Sequence, residues 1–156
     1  MRKQVLLCFL LFLAAALLGG CQRKRLAQDV LLESFCYETI GTAMGSEMEL
    51  SIIREGDGFA VTQSFDGEQT VRSAYVEQMV GEQVNDILRA HDALSWNGFE
   101  KSNPLVMDGS SFILSITFDD GTTISARGTN SYPKGLSAAV QEIEDLVDRF
   151  LSEPEQ

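Results

Sequence analysis

The chain has 156 residues, with 12 Lys and Arg against 23 Asp and Glu, and a formal net charge of −11 at pH 7. A chain of this charge is not expected to bind nucleic acid, because that function needs clustered Lys and Arg. Five of the 12 basic residues precede Val30, whereas 22 of the 23 acidic residues follow it, so the body of the chain is strongly acidic.

The first residues have the pattern of a secretory signal peptide. Arg2 and Lys3 precede residues 5–18, a run with no polar or charged side chain. As a helix this run is about 21 Å long, short of the ~30 Å hydrocarbon core of a bilayer. The small residues Gly19 and Gly20 follow, as a cleavage site requires. We therefore predict a signal peptide at residues 1–20.

Leu18-Gly19-Gly20-Cys21 resembles the lipobox of bacterial lipoproteins, in which an aliphatic and two small residues precede the cysteine that becomes residue one. The resemblance implies cleavage after Gly20 and a diacylglycerol on the Cys21 thiol. It also implies a lipid-anchored location at the cell membrane or envelope, on the extracytoplasmic side. The alternative is an ordinary secretory peptide with a cysteine nearby by chance.

Residues 21–32 are then expected to be the lipidated cysteine and a short basic tether. Arg23, Lys24 and Arg25 are either a solvated linker or a patch attracted to anionic headgroups at ~1 kcal/mol per residue. Fully extended, residues 22–30 reach only about 30 Å. We expect a single domain at residues 33–152. Because Cys8 would leave with the signal peptide and Cys21 would carry lipid, Cys36 would be the one remaining thiol, and no intramolecular disulfide is expected.

Residues 34–76 alternate apolar and polar side chains in four stretches, which predicts four half-buried antiparallel strands. Turn signals at Gly56 and Gly67 separate them into a meander. The residues expected on the apolar face are Phe35, Tyr37, Met48, Leu50, Ile52, Phe59, Val61, Phe65, Val71 and Tyr75.

The period then changes to that of an amphipathic helix, which ends in a loop at residues 97–110. Val80, Val84 and Leu88 lie on its apolar face, whereas Asn85 and Arg89 are expected to face away. A hairpin with a turn at residues 119–121 and a last helix from Leu136 to Phe150 follow, and residues 153–156 form a tail. The order β-β-β-β-α-β-β-α predicts an α+β fold: an antiparallel sheet of about six strands with two helices packed on one face.

Trp96-Asn97-Gly98-Phe99, the Asp108-Gly109 turn, the FILSITFDDG hairpin and Asn130-Ser131-Tyr132-Pro133 are similar to a module of uncharacterised bacterial lipoproteins and exported proteins. The resemblance covers about a third of the chain and implies fold and location only. Because loop aromatics at one end of a sheet are typical of recognition sites, a candidate binding surface consists of Trp96, Phe99, Asn130 and Tyr132. The alternative is that Trp96 and Phe99 close the end of the core.

Candidate catalytic groups are few. His91 is the only histidine, and it falls on the apolar helix face, which favours a role at the edge of the core. Cys36 could form a thiol pair with His91, although an inert side chain is the simpler interpretation. The acidic residues before glycines, Asp57, Asp66, Asp108 and Asp120, have turn spacing and not that of a calcium loop. We predict no cofactor and no metal site.

Two functional classes remain open from the sequence. The first is a membrane-anchored extracytoplasmic binding domain for an unknown protein or small ligand, with no catalytic residue assigned. The alternative is a hydrolase-like enzyme that uses Cys36 or a pair of carboxylates.

Overall fold

The structure is a computed structural model, and it describes residues 26–41, 47–65, 70–106 and 109–152. The predicted signal peptide, Cys21, the basic residues Arg23, Lys24 and Arg25, and the predicted tail lie outside these ranges. The described elements, in chain order, are β1 (Leu32–Ile40), β2 (Met48–Glu55), β3 (Gly58–Phe65), β4 (Thr70–Glu77), α1 (Met79–Ala90), a 3-10 helix (Ala93–Trp96), β5 (Phe99–Ser102), β6 (Ser111–Phe118), β7 (Thr123–Thr129) and α2 (Leu136–Leu151).

Within the described ranges, seven strands form one sheet in the order β4-β3-β2-β1-β6-β7-β5. Neighbouring strands are antiparallel except β7 and the edge strand β5, which are parallel. Helix α1 contacts β1 and β3, and α2 contacts β4 and α1, so both helices cover the same face. The predicted α+β fold is confirmed, with seven described strands in a mixed sheet instead of about six in an antiparallel one.

The sheet has two ends, which we call the Ile40 end and the Leu32 end after the last and first residues of β1. At the Ile40 end, β1, β7 and β5 finish at Ile40, Thr129 and Ser102, and β6 begins at Ser111. At the Leu32 end, β1 begins, and tight turns join β2 to β3 and β6 to β7. At ~3.3 Å per residue, β1 separates the two ends by roughly 25–30 Å.

Glycine turns form the Leu32 end as the sequence predicts. Gly56 has φ 60° in the two-residue connection between β2 and β3, a position that favours glycine in a tight hairpin. Gly121 has φ 82°, and the Asp120 carboxylate accepts a hydrogen bond from the Thr122 backbone N–H at 2.7 Å. The other predicted hairpin turn, at Gly67, lies outside the described residues.

The core lies between the sheet and the helices. From the sheet it receives side chains that are at most 1 % exposed, among them Phe35, Leu50, Ile52, Phe59, Val61, Leu114, Ile116 and Phe118. Helix α2 contributes Ile143, Leu146 and Val147. These positions agree with the alternation and the helical period in the sequence.

Strand β4 turns its predicted apolar face away from the core. Val71 and Tyr75, expected to point inward, are 54 % and 59 % exposed. Val76 is buried instead, because it pairs with the buried Phe59 of β3. Directly paired residues point to the same face of a sheet, so the register with β3 decides which side of β4 is buried.

Helix α1 buries a polar residue that the sequence places on its outer face. Asn85 is 1 % exposed, and its Nδ2 donates a hydrogen bond to the Val30 carbonyl at 2.9 Å. Arg89 also turns toward this segment and donates to the carbonyls of Ala27 and Gln28. The outward prediction for both residues is wrong because their partners are backbone groups of residues expected to be tether.

The predicted loop at residues 97–110 contains the edge strand β5. Its backbone pairs with β7 from Phe99 opposite Ala126 to Ser102 opposite Thr129. Only Phe99 of its four side chains is partly buried, so the stretch has no apolar alternation. A short edge strand is held mainly by backbone hydrogen bonds, which leave no signal in side-chain patterns.

Candidate functional site

The loops at the Ile40 end form hydrogen bonds at the end of β7. The Asn103 N–H donates to the Thr129 carbonyl at 2.9 Å, and the Asn130 N–H donates to the Ser110 carbonyl at 2.9 Å. Asn130 itself has φ 54°, a left-handed conformation that asparagine tolerates. Its Nδ2 donates to the Val106 carbonyl at 2.9 Å. Asn130 is thus the residue that closes the loop between β5 and β6 over β7.

An aromatic cluster lies beside these loops on the helix-covered side. Phe112 is its buried centre, with ring centroids of Tyr132 at 5.0 Å and of Tyr37 and Phe99 at 6.3 Å each. The Tyr132 hydroxyl lies 2.5 Å from Ser110 Oγ, and 37 % of Tyr132 is exposed. Stacked rings at these separations add to the stability obtained from burial.

Trp96 does not reach the surface at this end. Its side chain is fully buried, and the indole N–H donates to the Lys134 carbonyl at 3.0 Å. Of the four residues in the candidate surface, the structure brings Phe99 and Tyr132 together on Phe112 and uses Asn130 to close the loop. Trp96 belongs to the core, which is the alternative that the sequence left open for it.

The opposite face of the sheet, which we call the uncovered face because no described helix packs on it, carries a groove at the same end, with a volume of about 450 Å³. We call it the Ile40 groove. Its lining combines two isoleucines, hydroxyl groups of three strands and an ion pair: Ile40, Ile113, Ser102, Ser111, Thr129, Arg127 and Glu100. The ion pair joins Arg127 Nη2 to Glu100 Oε1 at 2.5 Å.

Two apolar side chains of the groove lining are exposed. Ile113 is 47 % exposed and Ile40 37 %. At the same end of the sheet, in the loop that follows β5, Leu105 is 90 % exposed and Val106 46 %. Large apolar residues that are exposed at a groove are typical of interaction sites. Sequence reasoning missed these four residues, although Ile113 carries a signal: it is apolar at an outward position of a strand.

The Tyr37 hydroxyl and the Glu144 carboxyl both have raised pKa values. Burial raises the pKa of the Tyr37 hydroxyl well above its usual range, and Tyr132 and Glu144 add to the effect. Burial also raises the pKa of Glu144, helped by the charges of Asp148 and Asp145. The Tyr37 hydroxyl therefore stays protonated even at pH values where an exposed tyrosine would ionise.

Cys36 and His91 lie on opposite sides of the sheet. Cys36 is on the uncovered face, paired with Ser51 and Ser115, whereas His91 follows α1 and its Nε2 lies 2.9 Å from Glu142 Oε1. Burial and the charge of Glu49 raise the pKa of the Cys36 thiol, which lowers its thiolate fraction. The considered Cys36–His91 pair is therefore not formed.

The described carboxylates of the turns bind nearby backbone or hydroxyl groups. Asp119 Oδ1 accepts a hydrogen bond from the Leu31 N–H at 2.9 Å, and Asp57 Oδ1 accepts one from the Tyr75 hydroxyl at 2.9 Å. Asp66 and Asp108 lie outside the described residues. Over the ranges that the structure describes, no three potential ligands from His, Cys, Asp and Glu are grouped closely enough to hold a metal ion.

None of the helices in the described part of the chain is long and apolar enough to span a membrane. Comparisons with protein-family models, with curated proteins and with solved structures found no match to this chain.

Proposed function

We propose that this protein is a lipid-anchored, extracytoplasmic binding protein whose domain takes a partner in the Ile40 groove. The observation that carries the proposal is the pair of exposed apolar side chains, Ile40 and Ile113, in the lining of one groove at one end of the sheet. Burying such side chains against a partner releases about 25 cal/mol per Å² of apolar surface.

The anchor part of the proposal comes from the lipobox resemblance at residues 18–21 and the signal-peptide pattern before it. Cys21 would carry the lipid, and Arg23, Lys24 and Arg25 would add attraction to anionic headgroups. The acidic body of the chain favours a position away from those headgroups.

Binding is favoured over catalysis by the chemistry of the described side chains. The Cys36 thiol has a raised pKa and is separated from His91 by the sheet. The turn carboxylates Asp57, Asp119 and Asp120 accept hydrogen bonds from other groups of the chain. The groove offers hydroxyl groups and an Arg127–Glu100 pair, which suit hydrogen bonding to a ligand.

Substitution of Cys21 tests the anchor. In cells fed a labelled fatty acid, the wild-type chain should be labelled and found with membranes, whereas Cys21→Ala should be unlabelled and either released or unprocessed. Cys36→Ser is the matched control and should be labelled like the wild type. Normal labelling of Cys21→Ala would reject the lipid anchor.

A matched pair of isoleucines tests the groove. Ile113 and Ile53 are both exposed on the uncovered face, at 47 % and 43 %, but Ile53 lies toward the Leu32 end. Residues 22–156 carrying Ile113→Ser or Ile53→Ser are used as bait against an extract of the native host. We expect Ile113→Ser to lose bound partners that Ile53→Ser retains, with equal melting temperatures. Equal retention by both variants would reject the groove as the binding site.

A further inference from the structure

The residues just before β1 are bound tightly to the domain. Arg89 Nη2 donates to the carbonyls of Ala27, Gln28 and Val30 at 3.1, 3.0 and 3.3 Å. The buried Asn85 donates to the Val30 carbonyl at 2.9 Å. We call these contacts the α1 clamp. A planar guanidinium can serve several acceptors at once because its donors are fixed in one plane.

A second set of contacts continues the attachment into the sheet. The Leu31 N–H donates to Asp119 Oδ1 at 2.9 Å, and the Asp119 N–H donates to the Leu31 carbonyl at 3.0 Å. Val30 is 7 % exposed, and Leu26 packs partly against the core. The chain is therefore attached to the Leu32 end of the domain from Leu26 onward.

This attachment shortens the free tether. Only residues 22–25 separate Cys21 from Leu26, and fully extended chain spans at most about 18 Å over those five steps. An anchor at Cys21 would therefore hold the Leu32 end close to the bilayer. The Ile40 end lies roughly 25–30 Å further along the strands.

The charges at the Leu32 end oppose close contact of this end with anionic lipid. Its turns and strand ends carry Glu55, Asp57, Glu77, Asp119 and Asp120. The arginines on this side, Arg54 and Arg89, form ion pairs with Glu33 and Asp86 at 2.8 and 2.9 Å. Repulsion between these acidic turns and the headgroups favours a gap between the Leu32 end and the lipid, and the short tether limits the width of that gap.

We propose that the α1 clamp holds the domain upright, with the Leu32 end at the bilayer and the Ile40 groove pointing away from it. The partner of the groove is then a molecule of the extracytoplasmic space and not the lipid of the bilayer that carries the protein. This inference rests on the proposed anchor at Cys21, and it adds the direction in which the groove faces.

Two labelled positions test the orientation. In a Cys36→Ser background of the lipidated full chain, Thr123→Cys places a dye at the Leu32 end and Ser102→Cys places one at the Ile40 end, both on the uncovered face. The protein is inserted into phosphatidylcholine vesicles containing phosphatidylglycerol and a short-range quencher on the headgroups. We expect several-fold stronger quenching at residue 123 than at residue 102.

Variants of the clamp and the tether provide the controls. Arg89→Ala should reduce the difference between the two dyes, whereas Arg149→Ala, on the exposed side of α2, should preserve it. If Arg89→Ala does not fold, a flexible Gly-Ser insertion between Arg25 and Leu26 leaves every clamp contact in place and should still reduce the difference. Equal quenching at both positions, or a difference that survives the insertion, would overturn the proposal.

The mass of the purified chain distinguishes failure of the orientation proposal from failure of the proposed function. A chain without the lipid mass refutes the anchor at Cys21, and the orientation proposal falls with it. A lipidated chain whose two dyes are quenched equally refutes the orientation alone and leaves the anchored binding domain standing.

Discussion

At the level of single residues, Asn85 shows how a polar side chain comes to face the core of a helix-covered sheet. Its Nδ2 donates to the Val30 carbonyl at 2.9 Å, a backbone group that also accepts a longer hydrogen bond from Arg89 at 3.3 Å and that needs partners where it is removed from water. Its Oδ1 has no hydrogen-bond partner among the described atoms. A buried carbonyl oxygen of this kind costs free energy, so Asn85 serves the docking of residues 26–31 and not the packing of α1.

The thiol of Cys36 is expected to react slowly. Burial and Glu49 raise its pKa, and the thiolate is the reactive form. Alkylation of residues 22–156 at neutral pH, followed by mass spectrometry, should be several-fold slower in the folded domain than in urea. Cys36→Ser should keep the partner-binding activity of the groove. Fast alkylation in the folded state, or loss of activity in a folded Cys36→Ser variant, would favour a catalytic role for this residue.

Glu144 should make the domain less stable as pH rises. Its pKa in the folded protein is raised above the ordinary value of 4.5 by burial, with Asp148 and Asp145 contributing. An acid with a raised pKa stabilises the fold while it is protonated, and this contribution is lost as pH rises from about 4.5 through the folded pKa. Glu144→Gln should therefore raise the melting temperature at pH 7 and change it little at acidic pH. Glu77→Gln, at an exposed position, is the control, and an equal shift there would contradict this account.

At the level of elements, β4 and β5 show that neighbours assign a strand its place. Val71 and Tyr75 have the alternation of a buried face, yet pairing of Val76 with the buried Phe59 turns that face outward. Strand β5 has no alternation, and its backbone pairing with β7 alone makes it a strand. In both cases hydrogen-bonded pairing with a neighbouring strand, and not side-chain propensity, decides how the strand lies in the sheet.

A pair of valines in β4 tests the orientation of this strand. Val76 is 6 % exposed and Val71 is 54 % exposed. Val76→Ala removes two buried methyl groups and should cost about 1–3 kcal/mol in the free energy of unfolding. Val71→Ala should cost a small fraction of that value. Urea unfolding of both variants measures the difference, and a larger loss for Val71→Ala would mean that β4 presents its other face to the core.

At the level of the whole molecule, the charge of the chain is the dominant property. A formal net charge of −11 keeps copies of the protein apart in solution, but the same repulsion acts between like charges within one folded domain. The described ion pairs, such as Arg54–Glu33 and Arg72–Asp148, use few of the acidic residues.

Salt should therefore stabilise the domain. Raising ionic strength from about 0.01 M to about 0.1 M shortens the Debye length from ~30 Å to ~10 Å and screens repulsion between separated carboxylates. The melting temperature of residues 22–156 should rise over this range, measured by circular dichroism. A fall would mean that the ion pairs contribute more to stability than the acidic excess subtracts.

By itself, the sequence determined the α+β class, the meander, the β6–β7 hairpin and both helices. It could do so because period-two and helical spacing, and glycines such as Gly56 and Gly121, act through neighbours in the chain. The anchor at Cys21 is likewise a sequence prediction, and it stays one.

Only the tertiary structure decided which residues lie together at the Ile40 end. It placed Trp96 in the core, stacked Phe99 and Tyr132 on Phe112, and grouped Ile40 with Ile113 at a groove. It also separated Cys36 from His91. These relations depend on the order and register of strands far apart in the chain, and a local period carries no information about which strand becomes a neighbour.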